Sequence, residues 1–459
     1  MLNLWEWAKA QFGRVKLGDS RRTERAVKVA AAMAERGCGN VPLQAKTFGE
    51  AKAAYRLFDA EEVTHGAITQ QHRDQVIAIA CAADEPVLAI HDDMLVDLSH
   101  RHSLTGLGPI GNGLGRGFMA HSCLMVRSTG EILGLAHQTV WARKERVQKK
   151  RRLLEALKKR RLATARSKQR QPRPKPPRAR TEAAVWEETI AAIGRCPQGK
   201  RWISIGDRGA DVFTHFEKCL QLNWQCLVRL AHDRVLLDGG RLLGKARALA
   251  PMVRRLTEIK GRRVLLNLSW FDAQVMRPRC CNNGHSQAIG CSVVRVWNDA
   301  EQMEWVLLST LPVTTAEAAF EKVDWYKLRW LIEEFHKGLK TGCVIERSQL
   351  RTAERFLPLF GIASVVAVRL LQSRADVRAS PDGPVAADEQ TIEILALALN
   401  RSPDALLTNR DFAHGVATFG GFLDRKGDGE PGWQTLSRGL QVFSFILFGF
   451  NLALNLGCG

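Results

Sequence analysis

The residues best placed to do chemistry in this chain are three carboxylates. The apolar run Val87–Ile90 leads into His91, Asp92 and Asp93, and Trp202–Ile205 leads into Gly206 and Asp207. An aspartate at a strand end is most often a turn former or a cap. A third acid, Glu333, changes that balance. The segment from about Thr315 to Thr341 predicts one long helix. At about 100° per residue, Tyr326, Arg329, Glu333, Lys337 and Lys340 then share an arc of about 80°. Leu328, Leu331, Ile332, Phe335 and Leu339 fall opposite. An intrahelical Arg329–Glu333 pair would account for the charges. It would not account for Tyr326, one of only two tyrosines in the chain. A carboxylate among cations suits a hard divalent ion that also takes phosphate oxygens. Two such ions about 4 Å apart serve phosphoryl transfer.

Positioning these acids takes a sheet and a helix. Phe118–Val126 and Ile132–Trp141 predict a hairpin turning near Thr129 and Gly130, and Cys226–Leu230 predicts a further strand. A helix is expected around Trp186–Ile193 and another from near Asp211. Carboxylates at strand ends in such an order indicate an α/β sheet with its active site at one edge. Residues from about 234 to 312 are β-rich and turn-rich (Val264–Trp270, Ile289–Trp297, Trp305–Leu308) and read as an inserted subdomain. The first 65 or so residues and those after about Glu354 read as helical, the latter with a polar loop at Asp424–Pro431.

The length of 459 residues suggests two to four domains. The net charge of +20 is uneven: from Arg143 to Arg180 eighteen Lys and Arg stand against two Glu. Cation runs of this density favour a nucleic-acid backbone over a merely solvated arm. Leu153–Leu162 could be helical, whereas Pro172, Pro174, Pro176 and Pro177 enforce an extended second half. Near the start, Asp19 is placed to cap a helix from Ser20 that Gly37 would end, and Arg21, Arg22 and Arg25 crowd its first turns against the dipole. DNA phosphate would offset that penalty. Eleven scattered cysteines fit reduced thiols in a cytoplasm. Cys280, Cys281, His285 and Cys291 lack paired zinc-site spacing. Trp5, Glu6, Trp7 and Lys9 interrupt any apolar start, so a secretory leader is not expected. No membrane span is expected either. The nearest approach, Val442–Leu456, contains Ser444, Asn451 and Asn455 and reads as a buried or oligomer-facing helix.

Tyr326, Arg329, Glu333 and Lys340 stand at the intervals Tyr-x2-Arg-x3-Glu-x6-Lys, within YKLRWLIEEFHKGLKTG. This stretch resembles the DDE transposases of bacterial insertion sequences, in the Tyr-Arg-Glu-Lys branch (the insertion-sequence-four group, which includes the transposon-five transposase). LGDSRRTERAVKVA (17–30), AYRLF (54–58), VLAIHD (87–92), DRGAD (207–211), CLVRL (226–230), WVLLST (305–310), ERFLPLFGIASVVAVRLLQ (354–372) and FGGFLDRKGDGEPGW (419–433) extend the resemblance over nearly the whole chain.

The resemblance implies an α/β fold: a ribonuclease-H-like catalytic core with an inserted β subdomain, flanked by helical N- and C-terminal domains. It divides the chain into a DNA-end-binding domain 1–66, a catalytic domain 67–375 and a dimerisation domain 376–459. It implies a cut-and-paste transposase that cleaves transposon ends through a hairpin intermediate and joins 3′ ends to target DNA. Asp92, Asp207 and Glu333 would be catalytic and hold two Mg²⁺, with Mn²⁺ a possible substitute. Tyr326, Arg329, Lys337, Lys340, Arg229, Trp305, Arg208, Arg21, Arg22 and Arg25 would contact DNA, Trp305 by stacking a flipped base. Partners would be double-stranded DNA and a second copy in a synaptic homodimer, in a bacterial cytoplasm at the nucleoid. The alternatives are an inactive relic that binds transposon ends and inhibits transposition, and a nuclease without strand transfer. Asp93 and Met94 stand where the group usually has two Thr, and DRGAD where it has DREAD. The basic segment is longer than usual, and Phe443–Gly459 fits the group poorly.

Overall fold

A computed structural model describes residues 4–36, 40–45, 47–143, 182–259, 262–279, 286–385 and 387–455. The basic segment beyond 143 and residues 280–285 of the Cys/His cluster lie outside them.

Ten strands form one mixed sheet: β1 Val87–Asp97, β2 Gly108–Ile110, β3 Gly115–Arg127, β4 Ile132–Trp141, β5 Trp202–Gly206, β6 Gln225–Arg229, β7 Val253–Ile259, β8 Arg262–Met276, β9 Ala288–Asn298 and β10 Met303–Ser309. The order is β2-β3-β1-β5-β6-β10-β9-β8-β7, with β4 also on β3. β1, β3 and β4 are antiparallel, whereas β1, β5 and β6 are parallel. The β3–β4 hairpin turns as expected, with Gly130 at φ 97°, a backbone setting that costs glycine little.

Two sequence expectations change. The β-rich stretch is inserted in the chain but not in space, because β10 pairs antiparallel with β6 and carries β9, β8 and β7 outward on the same sheet. That stretch also contains a helix, Leu242–Ala248, and the edge strand β7, neither of which the apolar pattern indicated. And β1 does not stop at Asp92. It runs on to Asp97 against β3, while its parallel pairing with β5 ends at Ile90↔Ile205.

Alternation along the strands sorts the core into two faces. Leu88, Ile90, Met94, Ile203, Ile205 and Leu227 join one cluster, with the N-terminal helices and the helix Ala353–Ala379. Val87, Ala89, Trp202, Cys226 and Val228 join the other, with Trp186 and Phe216. Asp92 continues the Ile90 face and Asp207 the Ile205 face, so both acids point to the first side. His91 and Asp93 point to the second.

Helices Leu4–Phe12, Ser20–Arg36, Val41–Gln44 and Phe48–Phe58 precede His65–Ala82. Residues of all four share the first core cluster, so this segment is packed on the body. Residue 375 lies inside Ala353–Ala379. Beyond it, Glu389–Leu399, Asn409–Phe419 and Trp433–Asn455 enclose a small apolar cluster of their own.

The absence of any membrane-length span needs correcting: two helices are long and apolar enough to cross a membrane. Ala353–Ala375 is 72% buried and is a core helix. Gln434–Leu454 is only 11% buried, leaving Phe445, Phe448, Leu452 and Leu454 exposed. Scattered polar residues break an unpunctuated run without lowering mean hydropathy enough to fail the length test.

Candidate active site

Asp92 reaches the site because β1 outlasts its parallel neighbour: beyond Ile90 that edge of β1 is no longer paired with β5. Asp207 follows β5 directly. Its backbone stays extended while its side chain accepts the Gly209 N–H at 2.7 Å, opening a short 3-10 turn at Arg208–Ala210. The same carboxylate therefore caps a turn and faces Asp92. That turn is anchored from below. Asp211 is buried and accepts the N–H groups of Ala231 and His232 at 2.8 Å and the Arg234 Nε at 2.6 Å. Sequence reading did not single out Asp211 and Arg234; the acid two residues past DRG was the available signal.

The third acid comes from a segment that is not one continuous helix. Ala316–Lys327 begins with Thr315 accepting the Ala318 N–H, and Trp330–Lys337 follows. Between them the chain tightens, the N–H groups of Leu331 and Ile332 bonding to the carbonyls of Leu328 and Arg329. A turn of this kind advances about 120° per residue instead of 100°. The segment tightens there, yet Tyr326 still meets Arg329 and Arg229 and lies near Asp207. Tyr326 turns into the core, 4% exposed, with its ring 5.1 Å from and steeply inclined to Trp305. Residues 338–342 form a wider π turn that carries Lys340.

Arg329 joins the elements. One Nη donates to Asp92 Oδ2 at 3.2 Å and the other to Glu333 Oε1 at 2.6 Å, and the side chain is 11% exposed. The intrahelical pair foreseen from spacing is thus half of a bridge to β1. Burial, and next the nearby charge of Asp207, push the Asp92 carboxyl up to about 6 despite Arg329. Among the described residues no three His, Cys, Asp or Glu side chains stand close enough to form a ready-made metal cage. Asp92 and Glu333 face one another across the guanidinium.

The other candidate DNA contacts divide. Arg229 is half-buried, donates to the Glu304 carbonyl at 3.0 Å, and lies beside Tyr326, Arg208 and Arg329. Arg208 is exposed at the rim, and Trp305 is half-buried at the Tyr326 contact. Lys337 is exposed and pairs with Glu334 at 3.2 Å; Lys340 is half-buried. Arg21, Arg22 and Arg25 lie on the separate helix Ser20–Arg36. Arg21 is held by Asp19, and Arg22 by Glu62 at 2.8 Å and the Leu17 carbonyl at 3.0 Å. Neighbouring carboxylates thus already offset the dipole penalty that was attributed to DNA. Asp19 accepts the Arg21 N–H as expected of a cap.

Behind the acids, on the second face, lies a layer that sequence reading missed. His91, His121, His215 and Ser204 are fully buried around Trp186. Asp93 accepts from His121 Nδ1 at 2.7 Å, so this carboxylate is turned away from Asp92. No periodicity marks such residues, because they come from β1, β3, β5 and the helices Ala184–Ile193 and Phe213–Gln221.

Residues 5–63 match the family model for a transposase DNA-binding domain. The fold is also similar to that of piggyBac transposase, solved by cryo-EM as a synaptic complex with hairpin DNA. That comparison gives 8% identity and a TM-score of 0.43 over 83% of this chain and 76% of that one, a likeness too loose to carry function across.

Proposed function

We propose that this chain is a DDE-type DNA transposase that binds transposon ends, cuts them and joins the freed 3′ ends to target DNA. The observation that carries the reading is that Asp92 and Glu333, from separate elements, meet at Arg329, with Asp207 at the end of β5 near enough to raise the Asp92 pKa. The match of residues 5–63 to a transposase DNA-binding domain supplies a segment to hold the substrate. The strand order β4-β3-β1-β5-β6, antiparallel then parallel, supports a ribonuclease-H-like core. The Tyr-Arg-Glu-Lys spacing supports the insertion-sequence-four group, near the transposon-five transposase.

The donor set fits a hard divalent ion. Three carboxylates offer oxygens, and the buried negative charge that raises the Asp92 pKa is the charge a cation would relieve. Asp92, Asp207 and Glu333 would hold Mg²⁺ or Mn²⁺, which when bound supplies a nucleophile at neutral pH and offsets charge on the leaving oxygen. Arg329 and Arg229 place fixed positive charge where DNA phosphate would lie, so charge growing on the phosphoryl oxygens meets a preorganised partner. Trp305 offers a partly exposed ring beside Tyr326 on which an extruded base could stack, a contact worth about 1–3 kcal/mol. In the hairpin route the freed 3′-hydroxyl attacks the opposite strand, and water reopens the product before joining. The exposed apolar face of Trp433–Asn455 supports a homodimer.

The test uses the full chain with DNA carrying the inverted repeats that flank its gene, in Mg²⁺, on denaturing gels. Nicks, hairpins and joined products are expected. Asp92→Ala, Asp207→Ala and Glu333→Ala should each abolish all three while end binding persists. Robust cleavage by any variant removes that residue from the catalytic set, and end binding without cleavage by the native chain overturns the activity.

A further inference from the structure

The parallel ladder between β1 and β5 ends at Ile90↔Ile205, two residues before the chain reaches Asp92 and Asp207. Ladder bonds therefore no longer fix the spacing of those two residues. On the second face a chain of side-chain contacts runs across the same place. His121 Nδ1 meets Asp93 Oδ1 at 2.7 Å and His121 Nε2 meets His91 Nδ1 at 3.3 Å. His91 Nε2 meets Ser204 Oγ at 3.4 Å, and Ser204 Oγ meets His215 Nε2 at 3.1 Å. These contacts tie β3 to β1, β1 to β5, and β5 to the helix Phe213–Gln221.

Trp186 fills the middle. Its ring stacks on His91 at 5.7 Å and meets His121 and His215 edge-on at 4.7 and 5.8 Å. It also packs against the Asp207 turn from below: a Cβ on Gly206 would stand 2.8 Å from this ring, and one on Gly209 3.4 Å. One indole thus touches the residue before Asp92 and the backbone on both sides of Asp207. Three imidazoles and a hydroxyl buried together are costly to desolvate, and apolar residues would fill the space more simply.

We propose that Trp186, His121 and Asp93 are positioning residues that set the separation of Asp92 and Asp207 through this buried layer. Asp93 anchors its exposed end. The departure from threonine at that position is, on this view, a working part of the support, and Asp93 is not a fourth ligand. The inference rests on the metal-binding reading of Asp92 and Asp207. Supporting groups behind metal ligands typically change metal affinity by roughly 10–100-fold when removed.

The experiment is a calorimetric titration of Mn²⁺ into the full chain bound to end DNA, together with DNA affinity in EDTA and thermal midpoint. Asp93→Asn, His121→Phe and Trp186→Leu should weaken Mn²⁺ binding by about 10-fold or more, with DNA affinity in EDTA within about twofold of native. His121→Gln, which can still donate to Asp93, should recover part of the loss, and so should Trp186→Phe. Mn²⁺ affinity unchanged in Asp93→Asn and His121→Phe overturns the inference. So does a loss of metal affinity that the conservative variants fail to recover, or one accompanied by equal loss of DNA affinity and of thermal midpoint, since the layer would then only hold the fold. Absence of Mn²⁺ binding by the native complex overturns the metal reading itself, and this inference with it.

Discussion

The two faces of the sheet at β1 are built on opposite principles, one residue apart. On the front, Asp92 and Glu333 are held by one arginine, with the charge of Asp207 nearby and water still within reach. On the back, His91 and its neighbours are sealed from water and held by packing and uncharged hydrogen bonds. The front spends stability, since ionised carboxylates repel. The back, rigid and dense, keeps them together. The difference teaches that a site for divalent ions is not made by its ligands alone: repulsion would splay them unless something behind the strand resists.

The largest effect should come from breaking the front. Arg329→Ala removes the group that bridges Asp92 and Glu333 and that, on the proposed function, would face the phosphate. Loss of one preorganised charge-stabilising donor typically costs 10²–10³ in rate, so cleavage of end DNA should fall by about that factor. Single-turnover rates in saturating Mg²⁺ measure it. A fall below about threefold would mean that Arg329 only pairs within its helix, as spacing alone suggested.

Acid should break the back, with an effect of several kcal/mol. Burial first lowers His215 to about 3, and it holds His91 well below its ordinary value. These folded pKa values lie below the unfolded value of about 6.5, so above that pH no stability is lost. As pH falls from about 6.5 toward 4, the unfolded chain takes up protons that the fold refuses, at up to about 1.4 kcal/mol per pH unit for each histidine. Urea midpoints at pH 7 and pH 5 should differ accordingly. Equal midpoints would mean that the layer admits charge and is not the dry support described above.

How much of this was legible in the chain follows from the range of each signal. Short apolar runs ending in Asp92 and Asp207, and the Arg329–Glu333 interval, are local patterns, and they located the front face. The β6–β10 pairing joins segments about 80 residues apart, so an insertion in sequence could not be told from a separate unit. The tightening at Leu328–Arg329 leaves both residues in ordinary helical conformation and breaks no propensity rule, so the buried place of Tyr326 was hidden. His121, Ser204, His215 and Trp186 are single residues on four different elements. Only the fold assembles them.

The smallest effect sharpens the comparison most, because it makes the front gain where a core substitution would lose. The Asp92 pKa in the fold is about 6, above its ordinary 3.8, from burial first and then Asp207. The ionised form is therefore disfavoured by folding. The penalty is absent below the unfolded pKa, grows as pH rises through the interval, and is complete above about 6. A shift of this size corresponds to roughly 3 kcal/mol, discounted to about 1–2 because the carboxylate retains contact with water. Asp92→Asn removes the charge while keeping the shape, so in EDTA near pH 8 the variant should be more stable than native by about 1–2 kcal/mol. Near pH 4 the two should be equal, the histidine contributions cancelling in the difference. Divalent ions should reverse the sign, since they stabilise only the carboxylate. A stability gain that is the same at both pH values would show that packing, and not charge, makes Asp92 costly, and the contrast between the two faces would then lose its electrostatic half.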